Sequence, residues 1–155
     1  RGLLGFRGQF LTDTRGTGTI NSTLIGYEPH IGDVPARTRG SMVSMEKGSV
    51  TAYALDTLQT RGVMFVKPCD EVYEGMVIGE NSRDNDMDVN PVKGKKLTNM
   101  RSSGADDAAK ITPPKIMTLE ESFDWINDDE LIEVSPKSVR LRKVYLKAVD
   151  RKRNK

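Results

Sequence analysis

Residues 93–107, KGKKLTNMRSSGADD, lie in the middle of the chain and fit neither a helical nor a strand pattern. Only Leu97 and Met100 are large and apolar, and Gly94 and Gly104 bracket most of the stretch. Four cations, Lys93, Lys95, Lys96 and Arg101, precede any acid. Such a segment cannot pass through a core, because buried charges and unpaired backbone groups are costly. The core must be assembled from the elements on either side, and each of those is short.

The N-terminal stretch LLGFRGQFLTDTRG spaces Leu3, Phe6, Phe10 and Leu11 as on one helical face, with Gly16 as its stop. TGTINSTLIGYEP alternates and is β-branched, so residues 17–27 read as a strand ended by Pro29. A helix and one strand cannot bury their apolar faces alone. The opening RGLLGF is an apolar pattern already in progress, so the chain reads as a fragment whose missing partners lie upstream. A second copy of the chain is another candidate partner for the unpaired strand edge.

Residues 32–40 form a Gly/Pro/Arg connector, the best domain boundary. Beyond it, residues 41–45, 63–66, 76–80 and 87–92 read as strands, and 46–48 as a turn. TAYALDTLQTRG reads as a short helix stopped at Gly62, and 109–112 as a strand returning from the basic stretch. Thr118 and Glu121 form a capping box for a third helix with a stripe of Leu119, Phe123 and Ile126. ELIEV and SVRLRKVYL are two strands joined through Ser135-Pro136. In the second, Val139, Leu141 and Lys143 point one way, and Arg140 and Arg142 the other. KAVDRKRNK has no packing pattern and is expected to fray. The expected class is α+β, with short and mostly antiparallel strands and three helices.

The net charge of +2 conceals segregation. Residues 118–134 carry seven acids and no base; residues 137–155 carry nine bases and one acid. The acidic run reads as a solvated face, whereas the basic stretches suggest a polyanionic partner. A single cysteine, Cys69, excludes an internal disulfide, and no apolar run approaches the ~20 residues of a membrane span, so no membrane partner is expected. Familiar catalytic motifs fail. DNDMDVN (84–90) has alternating acids like a calcium loop, but Val89 and Lys95 stand where glycine and glutamate are needed, so its acids read as solvated. GKK at 94–96 lacks the rest of a phosphate-binding loop, and GTG at 16–18 precedes a strand. The only histidine, His30, lies in a Pro/Gly turn. No enzyme activity is expected of these residues.

RNA binding survives this sorting. Lysines and Arg101 on a glycine-bounded loop reach phosphates without disturbing a core, and Thr98, Asn99, Ser102 and Ser103 supply short polar groups. The candidate contacts are Lys93, Lys95, Lys96, Asn99, Arg101, Ser102 and Ser103, with Arg140 and Arg142 as a second tier. No aromatic residue lies between Val92 and Pro113, so no base-stacking platform is expected at the loop. The rival is a protein-interaction module, with the acidic face at 120–133 docking a basic protein.

RGLLGFRGQFLTDTRGTG, EVYEGMVIGENSRDNDMDVN, KKLTNMRSSGADDA and DDELIEVSPKSVRLRK together resemble the C-terminal part of the TypA/BipA family of translational GTPases. The resemblance implies that residues 1–32 are the C-terminal half of a ferredoxin-like domain like those of elongation factor G. Residues 33–149 would then be the family-specific C-terminal domain, and 150–155 a basic tail. It implies a ribosome-bound role in large-subunit assembly and stress adaptation, in the cytoplasm or plastid stroma. The partners would be ribosomal RNA and A-site tRNA. The loop at 93–103 would approach the tRNA acceptor end and stay mobile until RNA orders it. GTP and Mg would belong to an upstream domain, leaving no cofactor for this chain.

Overall fold

The computed structural model describes residues 6–30, 32, 37–94 and 110–154. In chain order the elements are α1 (Phe6–Asp13), β1 (Ser41–Ser44), β2 (Gly48–Ser49), α2 (Ala52–Leu58), β3 (Gly62–Met64), β4 (Glu71–Val72) and β5 (Met76–Asn81). Then follow β6 (Met87–Val89), α3 (Leu119–Trp125), β7 (Glu130–Val134), β8 (Val139–Lys143) and α4 (Ala148–Arg153). A 3-10 turn, Gln59–Arg61, links α2 to β3.

β5 organises the main sheet, whose order is β6-β1-β5-β8-β7. One edge of β5 pairs antiparallel with β1; its other edge pairs first with β8, through Met76 and Val77, and then with β3, through Gly79, Glu80 and Asn81. Among the described strand pairs, only β1 and β6 run parallel. β2 and β4 form a separate two-stranded ribbon. Because β5 is covered on both faces, it reads as a continuous apolar run, Met76-Val77-Ile78, rather than an alternation. Met76 and Ile78 face a core with Met42, Met64, Val89 and the α2 residues Leu55 and Leu58. Val77 faces the opposite way, onto Leu141 and Trp125, with Phe65, Met117 and Ile132 around them. The expected α+β class, mostly antiparallel, is the observed one.

Local chemistry accounts for the element ends. Thr118 accepts from the Glu121 backbone N–H (3.2 Å), and the Glu121 carboxylate accepts from that of Thr118 (2.8 Å), completing the expected capping box. α1 closes in a Schellman arrangement: Gly16 N–H donates to Leu11 O and Arg15 N–H to Thr12 O. The left-handed position falls on Arg15 (φ 52°), one residue before the expected Gly16. Gly62 stops the second helix for a steric reason, since a Cβ there would lie 1.9 Å from the Glu80 carbonyl oxygen.

Four expectations need correction. Residues 17–30 form no strand and are almost wholly exposed, with Leu24, Ile25 and Tyr27 at 75%, 98% and 94%. A lone β-branched stretch has no ladder to join, and pattern alone does not supply one. Lys110–Thr112 is not a strand either: the Gln59 side chain holds it, donating to Lys110 O (2.9 Å) and accepting from Thr112 N–H (2.8 Å). The basic tail does not simply fray; α4 forms there, and the Arg151 guanidinium pins it to the carbonyls of Tyr145 and Leu146 and to Asp88. α3 packs through Ser122 and Trp125, leaving Phe123 64% exposed. The large indole, whose N–H reaches Glu80 at 2.8 Å, takes the buried place expected of Phe123 in the apolar stripe, while Leu119 and Ile126 are half-buried.

A further correction concerns the acids. Asp86, Asp129 and Glu130 are not solvated spectators. Lys143 is fully buried, and its ammonium Nζ lies 2.6 Å from Asp86 Oδ2, 2.7 Å from Asp129 Oδ2 and 2.9 Å from Glu130 Oε1, three acceptors for a group with three donors. Glu130 in turn accepts both arms of the Arg37 fork (2.9 and 3.1 Å) and the Ser41 hydroxyl (2.8 Å). Asp86 caps Ser41 through its backbone N–H and hydroxyl. The Arg37 guanidinium lies 3.6 Å from the centre of the Trp125 ring. This network fastens Arg37, ahead of the sheet, to β1, β7, β8 and the turn before β6.

Candidate nucleic-acid interface

The described residues that flank the basic stretch, Lys93 and Lys110–Thr112, are held at opposite ends of α2. Thr51, the α2 N-cap, donates its hydroxyl to Lys93 O (2.7 Å) and its backbone N–H to Pro91 O (3.0 Å). Gln59, the residue that caps the other end of α2, makes the two bonds to Lys110 and Thr112 described above. Val92 and Ile111, the apolar neighbours of these anchors, pack on the core cluster beside α2. With ~1.5 Å of rise per residue, a seven-residue helix holds the two stems about 10–12 Å apart. Lys93 is exposed at the first stem. Lys95, Lys96, Asn99, Arg101, Ser102 and Ser103 lie outside the described residues, as does the expectation that the loop is mobile.

The second-tier cations occupy a different surface. Arg140 and Arg142 lie on β8 on the face opposite Leu141 and Lys143, as the alternation predicts. Arg142 Nε sits 3.0 Å from Glu133 Oε1, and the Tyr73 hydroxyl donates to Glu133 Oε2 at 2.6 Å. Burial and this bond to Glu133 push the Tyr73 hydroxyl well above its ordinary value, so it remains a donor. Arg142 is therefore tied into the domain. Arg140 is opposite Glu133 in register, yet among the described residues it has no ion pair within 4.0 Å. The structure does not bring these two arginines together with Lys93 through any described contact.

Sequence reasoning missed Lys137 as a candidate. It is exposed at the tip of the β7–β8 hairpin, where the Ser135 hydroxyl donates to Ser138 O (2.9 Å) and accepts from Ser138 N–H (3.1 Å). The signal was available in Ser-Pro-Lys-Ser between two strand patterns, a turn that holds its own hydroxyls and projects the lysine. Among the described residues there is no group of three or more His, Cys, Asp or Glu side chains arranged to hold a metal ion. No helix among them is long and apolar enough to cross a membrane.

A family model described as the TypA/BipA C-terminal domain matches residues 39–148. The protein is 49% identical over 154 residues to the "Large ribosomal subunit assembly factor BipA" of Escherichia coli strain K12, covering 99% of this chain and 25% of that protein. The Bacillus subtilis protein of the same name is 47% identical with the same coverage, and the Synechocystis one is 46% identical over 147 residues, 95% of this chain. The chain thus spans about a quarter of the length of these curated relatives. The chain belongs to the TypA/BipA family, with its C-terminal domain at residues 39–148.

Proposed function

We propose that this chain is the ribosome- and tRNA-binding C-terminal region of a translational GTPase that acts in large-subunit assembly and stress adaptation in the cytoplasm. The observation that carries this is the pair of stems at Lys93 and Lys110, each held by one end of α2. A rigid mount for a polar, cation-rich segment suits phosphate and sugar contacts. The relatives' name, a large ribosomal subunit assembly factor, supports the ribosomal side. Lys93, Lys95, Lys96 and Arg101 supply the charge; Asn99, Ser102 and Ser103 supply hydrogen bonds to A-site tRNA or ribosomal RNA. GTP and Mg belong to a domain outside residues 39–148. The exposed Leu24, Ile25 and Tyr27 support contact with further protein, including self-association through residues 17–27.

One observation favours the rival docking surface. Phe123 is 64% exposed on α3 beside Glu120 and Asp124, an apolar and acidic patch suited to a basic protein. The two readings part in a sedimentation assay. Binding to naked large-subunit RNA and to tRNA, weakening steeply with salt, is the expected result. Binding only to protein-bearing particles would replace it with the rival.

A further inference from the structure

A cavity of about 470 Å³ opens between the β8 side of the sheet, residues 116–117 before α3 and the tip of the β7–β8 hairpin. Its floor is apolar: Phe65, Val77, Met117 and Leu141 belong to the core cluster around Trp125. Its lining includes two cations, Lys137 and Arg140, and no carboxylate. At its edge Ile116 stands 80% exposed. We propose that this cavity takes a single unstacked nucleotide of RNA, its base on the apolar floor and its phosphates at Lys137 and Arg140. This inference rests on the ribosome-binding reading and adds a second contact surface, apart from the basic stretch.

The occupant follows from charge and shape. Glu133 is taken up by Arg142 and Tyr73, and among the described residues Arg140 has no ion pair, so its positive charge is available to an outside partner. An apolar hole with a cationic rim asks for a ligand whose flat apolar part carries adjacent negative charge. The volume falls in the ~300–1,000 Å³ range of small-ligand sites. A paired RNA helix cannot enter it, but a base splayed from a bulge or loop can. Base identity should matter little. The hydroxyls of Ser135 and Ser138 are engaged with each other across the turn, and Ser122 Oγ donates to Thr118 O at 2.7 Å, so base edges find few free donors. Apolar and stacking contact, tolerant of sequence, would dominate.

The test compares two RNA hairpins of equal length and charge, one fully paired and one with a single-nucleotide bulge. The protein is expected to bind the bulged hairpin about tenfold more tightly, whichever base is bulged. Val139→Phe, which fills the cavity from β8, should abolish that preference while leaving affinity for the paired hairpin unchanged. Ile116→Ser, at a site 80% exposed where substitutions typically change stability little, should reduce the preference as well. Lys137→Gln with Arg140→Gln should weaken binding of the bulged hairpin more than of the paired one. Equal affinity of the protein for both hairpins overturns the inference, and so does a preference that survives both Val139→Phe and Ile116→Ser. Competition by an acidic peptide with an aromatic anchor, without any preference for the bulge, overturns it in favour of a protein ligand. If those results come with intact salt-dependent ribosome binding, the proposed function stands without the cavity. Failure to bind either hairpin, tRNA or ribosomal RNA overturns both.

Discussion

Lys143→Met is expected to lower the unfolding free energy by about 3 kcal/mol, read as a fall in the urea midpoint at unchanged slope. The methionine preserves most of the buried volume, so the effect isolates charge from packing. Removal of the ammonium leaves Asp86, Asp129 and Glu130 facing one another, with Arg37, Ser41 and the Asn127 backbone N–H left to compensate. Breaking a buried ion pair costs roughly 3–5 kcal/mol when the remaining charge stays dry. Here the lower end applies, because the side chains of Asp86 and Asp129 are 36% and 60% exposed and can rehydrate. A change below about 1 kcal/mol would show that the network adds nothing to stability at neutral pH.

The same network sets the pH response. Burial opposes ionisation of Glu130, but the Arg37 fork and Lys143 outweigh it and hold the carboxyl below its ordinary range. Burial likewise opposes the charged form of Asp86, and Lys143 and Ser41 overcome it, again lowering the group. A depressed carboxyl stabilises the fold above its unfolded pKa, ~4, and that contribution is lost as pH falls through the folded value. Burial disfavours the Lys143 ammonium, yet Asp129, Asp86 and Glu130 more than offset this and raise it. Its contribution is full below ~10.4 and lost as pH rises through the folded pKa. Stability should therefore be level from about pH 5 to 10 and decline on both sides, with Tyr73 adding to the alkaline loss. The deficit of Lys143→Met should shrink as pH drops below 4, since the acids it strands become neutral. A deficit independent of pH would assign the effect to packing.

Alternation along β8 puts Lys143 on the same face as Val139 and Leu141, but alternation says nothing about what a buried cation meets there. Its partners come from β7, from the preceding turn and from the β5–β6 loop, and Glu130 is bonded to Arg37, 93 positions away. Reading residues 118–134 as one acidic surface failed for that reason: local composition treats Glu120 and Glu130 alike, although the first is exposed and the second buried. The α3 cap was legible because Thr118 and Glu121 settle it within one turn. By contrast, residues 17–27 have the composition of a strand and no ladder, and α4 is held by a guanidinium reaching to Asp88. At the interface, the cations were legible as a run. The α2 mount was not, since nothing local links Thr51 to Lys93 or Gln59 to Lys110.

Changing Lys93, Lys95, Lys96 and Arg101 together to Gln is expected to flatten the dependence of ribosome or tRNA affinity on salt by about three units. Each phosphate contact contributes ~0.7–0.9 to the slope of log affinity against log salt. Stability should barely move, because exposed substitutions typically shift it by under ~0.5 kcal/mol and Lys93 is exposed at its stem. Glu120→Gln with Glu121→Gln is the control for the acidic face. It should leave the slope nearly unchanged and cost a little stability, since Glu121 completes the α3 capping box. The comparison separates the two docking modes by their salt signatures as well as by affinity. Counterion release belongs to a polyanion, so a protein-docking acidic face would show its largest effect in the Glu120/Glu121 variant. Loss of binding in that variant, with the four-cation variant binding normally at every salt concentration, would transfer the function from the clamped basic stretch to α3.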